Sequence, residues 1–221
     1  MGFIERLKGL DVQSATTIAI KSMKYMLKFS AKNGFGKEFD TECSRLLVAR
    51  PTAVVLYNSI ELIKKRKDAE SIKNVIRQLE KSREQAANNT SKIFKKKSVI
   101  LTHCHSSFVV GSLIKNKNKI KEVIVTETRP RDQGIITAKE LSKHKIHVSY
   151  IIDSAISDFI DKTDLVIVGA DALRKEGLVN KVGTHPLAVV AKENKKPFYV
   201  ITSSFTMDRR KKIYHGTAPA G

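Results

Sequence analysis

Tryptophan is absent from the 221 residues, and cysteine occurs only twice, as Cys43 and Cys104. Two such isolated cysteines exclude a disulfide-stapled scaffold and a paired-cysteine zinc module, and a bridge between them is disfavoured inside a reducing compartment. No stretch reaches the roughly 18 apolar residues of a membrane span. The start, Met1-Gly2-Phe3-Ile4-Glu5-Arg6-Leu7, lacks the charged opening, apolar centre and small-residue cleavage site of a secretory leader, so a cytoplasmic location is expected. Aromatic residues for base stacking are scarce, at five Tyr and nine Phe, and no fingerprint of a nucleic-acid-binding module is present. Gly-x-Gly-x-x-Gly is missing too, which argues against a dinucleotide; no cofactor is expected.

What the chain has in quantity is positive charge. Its formal net charge is +19, which raises RNA or another polyanion as a partner. Residues 1–100 hold 21 Lys+Arg against 10 Asp+Glu, and residues 101–221 hold 20 against 12, so neither half is a basic arm on a neutral body. The local runs Lys64-Lys65-Arg66-Lys67, Lys95-Lys96-Lys97 and Arg209-Arg210-Lys211-Lys212 each flank an expected element and read as solvated helix ends or loops. A hydrophobic content of 41% is enough for a substantial core.

Periodicity changes near residue 96. Over 14–32, Ile18, Ala19, Met23, Met26 and Leu27 recur at helical spacing, with Ser14 and Thr16 as candidate caps. Gly34-Phe35-Gly36 ends that helix. Pro51 suits the first turn of a further helix over Ala53-Val54-Val55-Leu56. Residues 68–94 form a charged amphipathic stretch with a narrow stripe of Ile72, Val75, Ile76, Leu79 and Ile93. Beyond 96, strands are expected at 98–102, 122–126, 147–152, 164–169 and 197–202, with room for crossover helices between them. Runs such as Val123-Ile124-Val125 and Val166-Ile167-Val168 imply strands buried on both faces. The expected architecture is α/β: an N-terminal helical domain over 1–96, then a Rossmann-like domain over 97–221 with a mostly parallel sheet.

Open parallel sheets bind ligands beyond the carboxyl ends of their strands. Polar residues collect at each of those ends: His103, Cys104, His105, Ser106 and Ser107; Glu127, Thr128, Arg129 and Arg131; Asp153 and Ser154; Asp171; Ser203 and Ser204. Cys104 and Asp171, 67 positions apart, are the pair most suited to acid–base chemistry. A metal at His103-Cys104-His105 is disfavoured, because adjacent residues in extended chain diverge and no second ligand cluster accompanies them. Cys104 alone could be a small buried hydrophobe. Its polar neighbours, with Arg129 and Arg131 expected nearby, favour instead a thiol of lowered pKa. Gly169-Ala170-Asp171 and Lys181-Val182-Gly183-Thr184 suggest close turns holding a small anion at a helix N-terminus.

Thr102-His103-Cys104-His105-Ser106, Thr126-Glu127-Thr128-Arg129-Pro130 with Gln133-Gly134, Gly169-Ala170-Asp171, Asn180-Lys181-Val182-Gly183-Thr184 and Ala49-Arg50-Pro51-Thr52-Ala53-Val54 occur in the order of a known superfamily's signatures. From about Leu10 to Phe205 the chain resembles the family that contains the regulatory subunits of translation initiation factor 2B, methylthioribose-1-phosphate isomerase and archaeal ribose-1,5-bisphosphate isomerase. In the isomerases of this family a cysteine and an aspartate form the catalytic pair, matching Cys104 and Asp171; the initiation-factor subunits generally lack the cysteine. The short N-terminal part and the Thr-His-Cys-His-Ser string are similar to ribose-1,5-bisphosphate isomerase.

The resemblance implies an aldose–ketose isomerisation of a sugar phosphate, with Arg50, Arg129, Arg131, Ser106, Asn180 and Lys181 as substrate or phosphate contacts and no metal. It also implies a homo-oligomer, dimer or hexamer, with AMP as a candidate activator. The alternative is a non-catalytic initiation-factor-like subunit that binds a nucleotide or sugar phosphate and meets RNA or a translation factor. Two departures from the family pattern stand out: Val12-Gln13-Ser14 where the isomerases carry an Arg-Gly pair, and a C-terminus shorter than usual, whose last residues, His215 to Gly221, read as disordered.

Overall fold

A computed structural model describes residues 2–9 and 14–210; Val12, Gln13 and the segment from His215 lie outside the described residues. By their contacts the residues form two compact units. The first runs to Glu80 and includes Asp171–Leu178 and residues 204–210; the second is Lys81–Ala170 with Val179–Ser203. The division falls inside a helix rather than at residue 96, where the periodicity changes.

The first unit is built from helices α1 (Phe3–Lys8), α2 (Ala15–Asn33), α3 (Lys37–Ala49), α4 (Val54–Arg66) and the first half of α5 (Ala69–Thr90). The helically spaced residues of α2 point inward as expected: Ile18, Ala19, Met23 and Met26 are buried together with Phe39, Leu46, Leu56, Ile60, Ile63, Ile72 and Leu79. Burial of each of the larger side chains contributes roughly 1.5–3 kcal/mol before chain entropy is set against it. Pro51 is not in the first turn of α4. It sits in a turn whose Ala53 amide donates to the Arg50 carbonyl, and the helix starts at Val54. Ile93 lies past the end of α5 and packs on the core of the second unit.

In the basic run 209–212, Arg210 is not simply solvated. Asp208, its side chain fully buried, accepts from Arg174 Nη2 at 2.6 Å and from Arg210 Nε at 2.8 Å. Arg210 also reaches the Pro51 carbonyl at 3.0 Å and lies over the Tyr57 ring. Hydrogen bonding from Arg210 holds the Asp208 carboxyl below the usual carboxylate range. The other two basic runs are as expected, with Lys64, Lys65 and Arg66 in the last turn of α4, where cations complement the helix dipole.

The second unit holds a five-stranded sheet of β1 (Ser98–His103), β2 (Ile120–Thr126), β3 (Val148–Ile151), β4 (Leu165–Val168) and β7 (Phe198–Val200). All neighbours are parallel, in the order β3-β2-β1-β4-β7. Every residue of β1 and β4 is buried, as their unbroken apolar runs require of strands covered on both faces. The connecting helices are α6 (Ser107–Lys115), α7 (Gln133–Lys143), α8 (Ile156–Ile160) and α9 (Thr184–Glu193). Strand order reverses between β1 and β4, so the crevice for a ligand opens beyond the ends of those two strands. A small pairing of β5 (Ala172–Arg174) with β6 (Gly177–Val179) precedes α9. Consequently Gly169-Ala170-Asp171 leads into a strand, not into a helix N-terminus, and only the turn before α9 has the expected strand-to-helix form. No helix among the described residues is long and apolar enough to cross a membrane.

Removing the Asp208 charge leaves two guanidinium groups without their shared carboxylate. Asp208→Ala is therefore expected to lower unfolding stability by about 3–5 kcal/mol, read as a drop in denaturation midpoint without loss of the α/β circular dichroism of the remaining native protein.

Candidate functional site

Cys104 is the first residue past β1, and its backbone adopts φ = +71°, a conformation that non-glycine residues rarely take and that costs roughly 1–3 kcal/mol unless its surroundings hold it. Neighbours grip it from both sides. Its amide donates to Thr128 Oγ1 at 2.9 Å, its carbonyl accepts from Thr137 Oγ1 at 3.2 Å, and its Sγ lies 3.5 Å from Gln133 Oε1. The turn breaks the strand and leaves the thiol half-buried at the sheet's carboxyl edge.

Thr128 is itself held at φ = +65°. The Asp153 carboxylate, just after β3, accepts the Thr128 amide at 2.8 Å and the Arg129 amide at 2.7 Å. Gly134 completes this corner: a Cβ there would sit 1.8 Å from the Thr126 carbonyl oxygen, so only glycine lets the start of α7 approach β2. The Gln-Gly of the sequence motif thus has a double purpose, the glutamine beside the thiol and the glycine allowing the approach.

The two histidines flanking Cys104 have separate partners. His103 is buried, with Nδ1 2.7 Å from Thr126 Oγ1 and Nε2 2.7 Å from the Val182 carbonyl. His105 Nδ1 lies 3.1 Å from Thr137 Oγ1. Burial lowers both imidazole pKa values below the ordinary 6.5. Among the described residues no three of His, Cys, Asp and Glu converge as metal ligands. Neither cysteine is in a disulfide; Cys43 is buried in the first unit, which pushes its thiol up to about 11 and makes it inert at neutral pH.

The anion-binding candidates divide between the units. In the second unit, Ser106 is the N-cap residue of α6, and its carbonyl accepts from Val110 at 2.9 Å. Asn180 Nδ2 donates to Thr184 Oγ1 at 3.0 Å, and Thr184 Oγ1 donates to the Lys181 carbonyl at 2.6 Å. Arg129 is exposed, with Nη1 2.9 Å from both Asp132 carboxylate oxygens, and Arg131 is exposed beside it. Asp171 and Arg50 belong to the first unit; Asp171 is exposed, and Arg50 Nη1 donates to the Leu7 carbonyl at 3.3 Å. Sequence reasoning grouped His103 with the other polar strand-end residues but missed its ring contacts, as it missed the relay from Asp153 through Thr128. The signal for both was the spacing Thr126-x-Thr128 after a buried strand.

The model of the initiation factor 2 subunit family matches residues 11–217. The chain belongs to this family. Among its relatives, the ribose 1,5-bisphosphate isomerase of Archaeoglobus fulgidus is 35% identical over 218 residues, covering 91% of this chain and 69% of that protein. The enzyme of the same name from Methanocaldococcus jannaschii is 37% identical over 221 residues, covering 91% and 71%. A crystal structure of the Pyrococcus horikoshii translation initiation factor eIF-2B superposes with a TM-score of 0.83 at 25% identity, covering 92% of this chain and 78% of that one. The α/β architecture of a family member is thereby accounted for: helical region first, parallel sheet after.

The lowered histidines set a pH response. Below about 6.5 the unfolded chain takes up protons that the native imidazoles refuse, so stability is present above that value and is lost as pH falls through the native values. The thermal midpoint should fall between pH 7 and pH 5, ahead of carboxylate titration, and fall less steeply in His103→Gln.

Proposed function

We propose that the chain is an aldose–ketose isomerase that converts ribose 1,5-bisphosphate to ribulose 1,5-bisphosphate. The observation that carries this reading is Cys104: a half-buried thiol on a positive-φ turn at the end of β1, next to the strand-order reversal, in a chain 35% and 37% identical to archaeal proteins of that name.

The reaction needs one proton moved between adjacent carbons and others exchanged on oxygen. Asp171 gives a proton to the ring oxygen, which opens the ring. Cys104 thiolate removes the hydrogen of C2, so that the C2 electron pair forms the C1–C2 double bond of an enediol phosphate. Asp171 then takes the O2 proton as the C2 carbonyl forms, and Cys104 returns its proton to C1. Atoms and charge balance, and no redox partner is involved. Asn180 and Lys181, on the turn into α9, suit one phosphate; Arg50, Arg129, Arg131 and Ser106 are the further candidates, arginine's planar fork matching phosphate oxygens in pairs. A homo-oligomer, dimer or hexamer, and activation by AMP are parts of the same reading.

The second reading, a non-catalytic initiation-factor-like subunit, is favoured by the superposition on the Pyrococcus horikoshii factor. Purified chain incubated with the α-anomer of ribose 1,5-bisphosphate, with and without AMP, separates the two. The isomerase reading expects ribulose 1,5-bisphosphate to form, and expects Cys104→Ser and Asp171→Asn each to lower turnover about 10²-fold or more. Folded oligomer that binds sugar phosphate but forms no product would move the assignment to a binding subunit, and full activity in either variant would remove that residue from the mechanism.

A further inference from the structure

We infer that His103 is a positioning residue, which ties the end of β2 to the 180–184 loop and so sets the placement of Asn180 and Lys181. For its ligand the inference rests on the isomerase reading; its geometry does not.

The Val182 carbonyl is an acceptor only, so the proton on His103 lies on Nε2, 2.7 Å away. With that nitrogen donating, Nδ1 of the neutral ring accepts from Thr126 Oγ1 at 2.7 Å. Burial of the ring favours this neutral, singly protonated state. The imidazole is thus a rigid strut with one end on β2 and the other on the backbone of the loop. Its contact with the loop is close: Gly183 has φ = +100°, and a Cβ built on it would lie 2.6 Å from His103 Cε1.

Nothing about the Val182 side chain can do the same work, because that residue is 70% exposed. The loop's apex is held through its carbonyl, not through apolar burial. From that carbonyl the order extends along the turn. The Lys181 carbonyl receives the Thr184 amide at 3.1 Å and the Thr184 hydroxyl at 2.6 Å, and that hydroxyl in turn receives Asn180 Nδ2 at 3.0 Å. Release of the strut frees the segment that carries both polar side chains. On the other side, Thr126 Oγ1 is 3.2 Å from Thr128 Oγ1, the hydroxyl that receives the Cys104 amide. His103 therefore couples the cysteine turn to the anion-binding turn without touching substrate.

The test uses side chains that keep one end of the strut or the other. Asparagine can replace the Nδ1 contact with Thr126 but is too short for Val182; glutamine carries an amide nitrogen to the Nε2 position and can donate to the Val182 carbonyl. Each variant is measured by hydrogen exchange of the Thr184 amide without ligand, by calorimetric binding of ribulose 1,5-bisphosphate, and by KM and kcat for ribose 1,5-bisphosphate. In His103→Asn and His103→Ala we expect faster Thr184 exchange, and Kd and KM raised about tenfold, the equivalent of one lost hydrogen bond, with kcat within about threefold; His103→Gln should return all of these towards the parent chain. Unchanged exchange in the asparagine variant, a loss of kcat at constant KM, or a glutamine variant as impaired as alanine would each overturn the inference. If His103→Ala fails to fold, the contrast between asparagine and glutamine still decides. Parent chain that binds ribulose 1,5-bisphosphate without turnover would sink the isomerase reading alone, since exchange and binding still report on His103.

Discussion

The grip on Cys104 is the constraint around which the second unit is arranged. A residue with a side chain at φ = +71° persists only when surrounding groups outweigh its conformational cost. Here those groups come from the β2–α7 connection and from α7 itself, through Thr128, Gln133 and Thr137. They are in turn held by Asp153 after β3 and by the glycine that lets α7 start against β2. A parallel sheet delivers successive strand ends to one edge, and the side chains there finish the task by holding a thiol where an extended strand would have turned it away.

Much of this was legible in the sequence. Unbroken apolar runs identified the doubly covered strands, and their order along the chain placed the polar residues at one edge. Helical spacing in α2 identified the inward face because Met23 and Met26 differ from their neighbours in hydrophobicity, the property that decides burial. What was not legible depends on partners distant in sequence. Arg210 sits in a run of four basic residues, and nothing local says that a buried Asp208 and Arg174 await it. Pro51 satisfies the rule for a helix start, yet it lies in a turn closed between Ala53 and Arg50, and α4 begins three residues later. The β5–β6 pairing is too short to carry a periodicity. The alternation argument at His103-Cys104-His105 assumed extended chain, whereas Cys104 stands on a positive-φ turn, and it was silent about Thr126 and Val182, the residues that give His103 its place.

Positive charge serves different ends in different places. At the end of α4 it complements a helix dipole, at Arg174 and Arg210 it neutralises one buried carboxylate, and at Arg129 it faces Asp132 on the surface. A net charge of +19 is thus partly structural, and the total says less about partners than the positions do.

In the isomerase reading, the Cys104 turn meets the reacting carbons of a sugar bisphosphate. A crystal structure of Cys104→Ser with ribulose 1,5-bisphosphate tests it most directly. The residue 104 hydroxyl should lie against C1 and C2 of the sugar, with a phosphate at Asn180 and Lys181; a sugar bisphosphate bound away from residue 104 would overturn the reading.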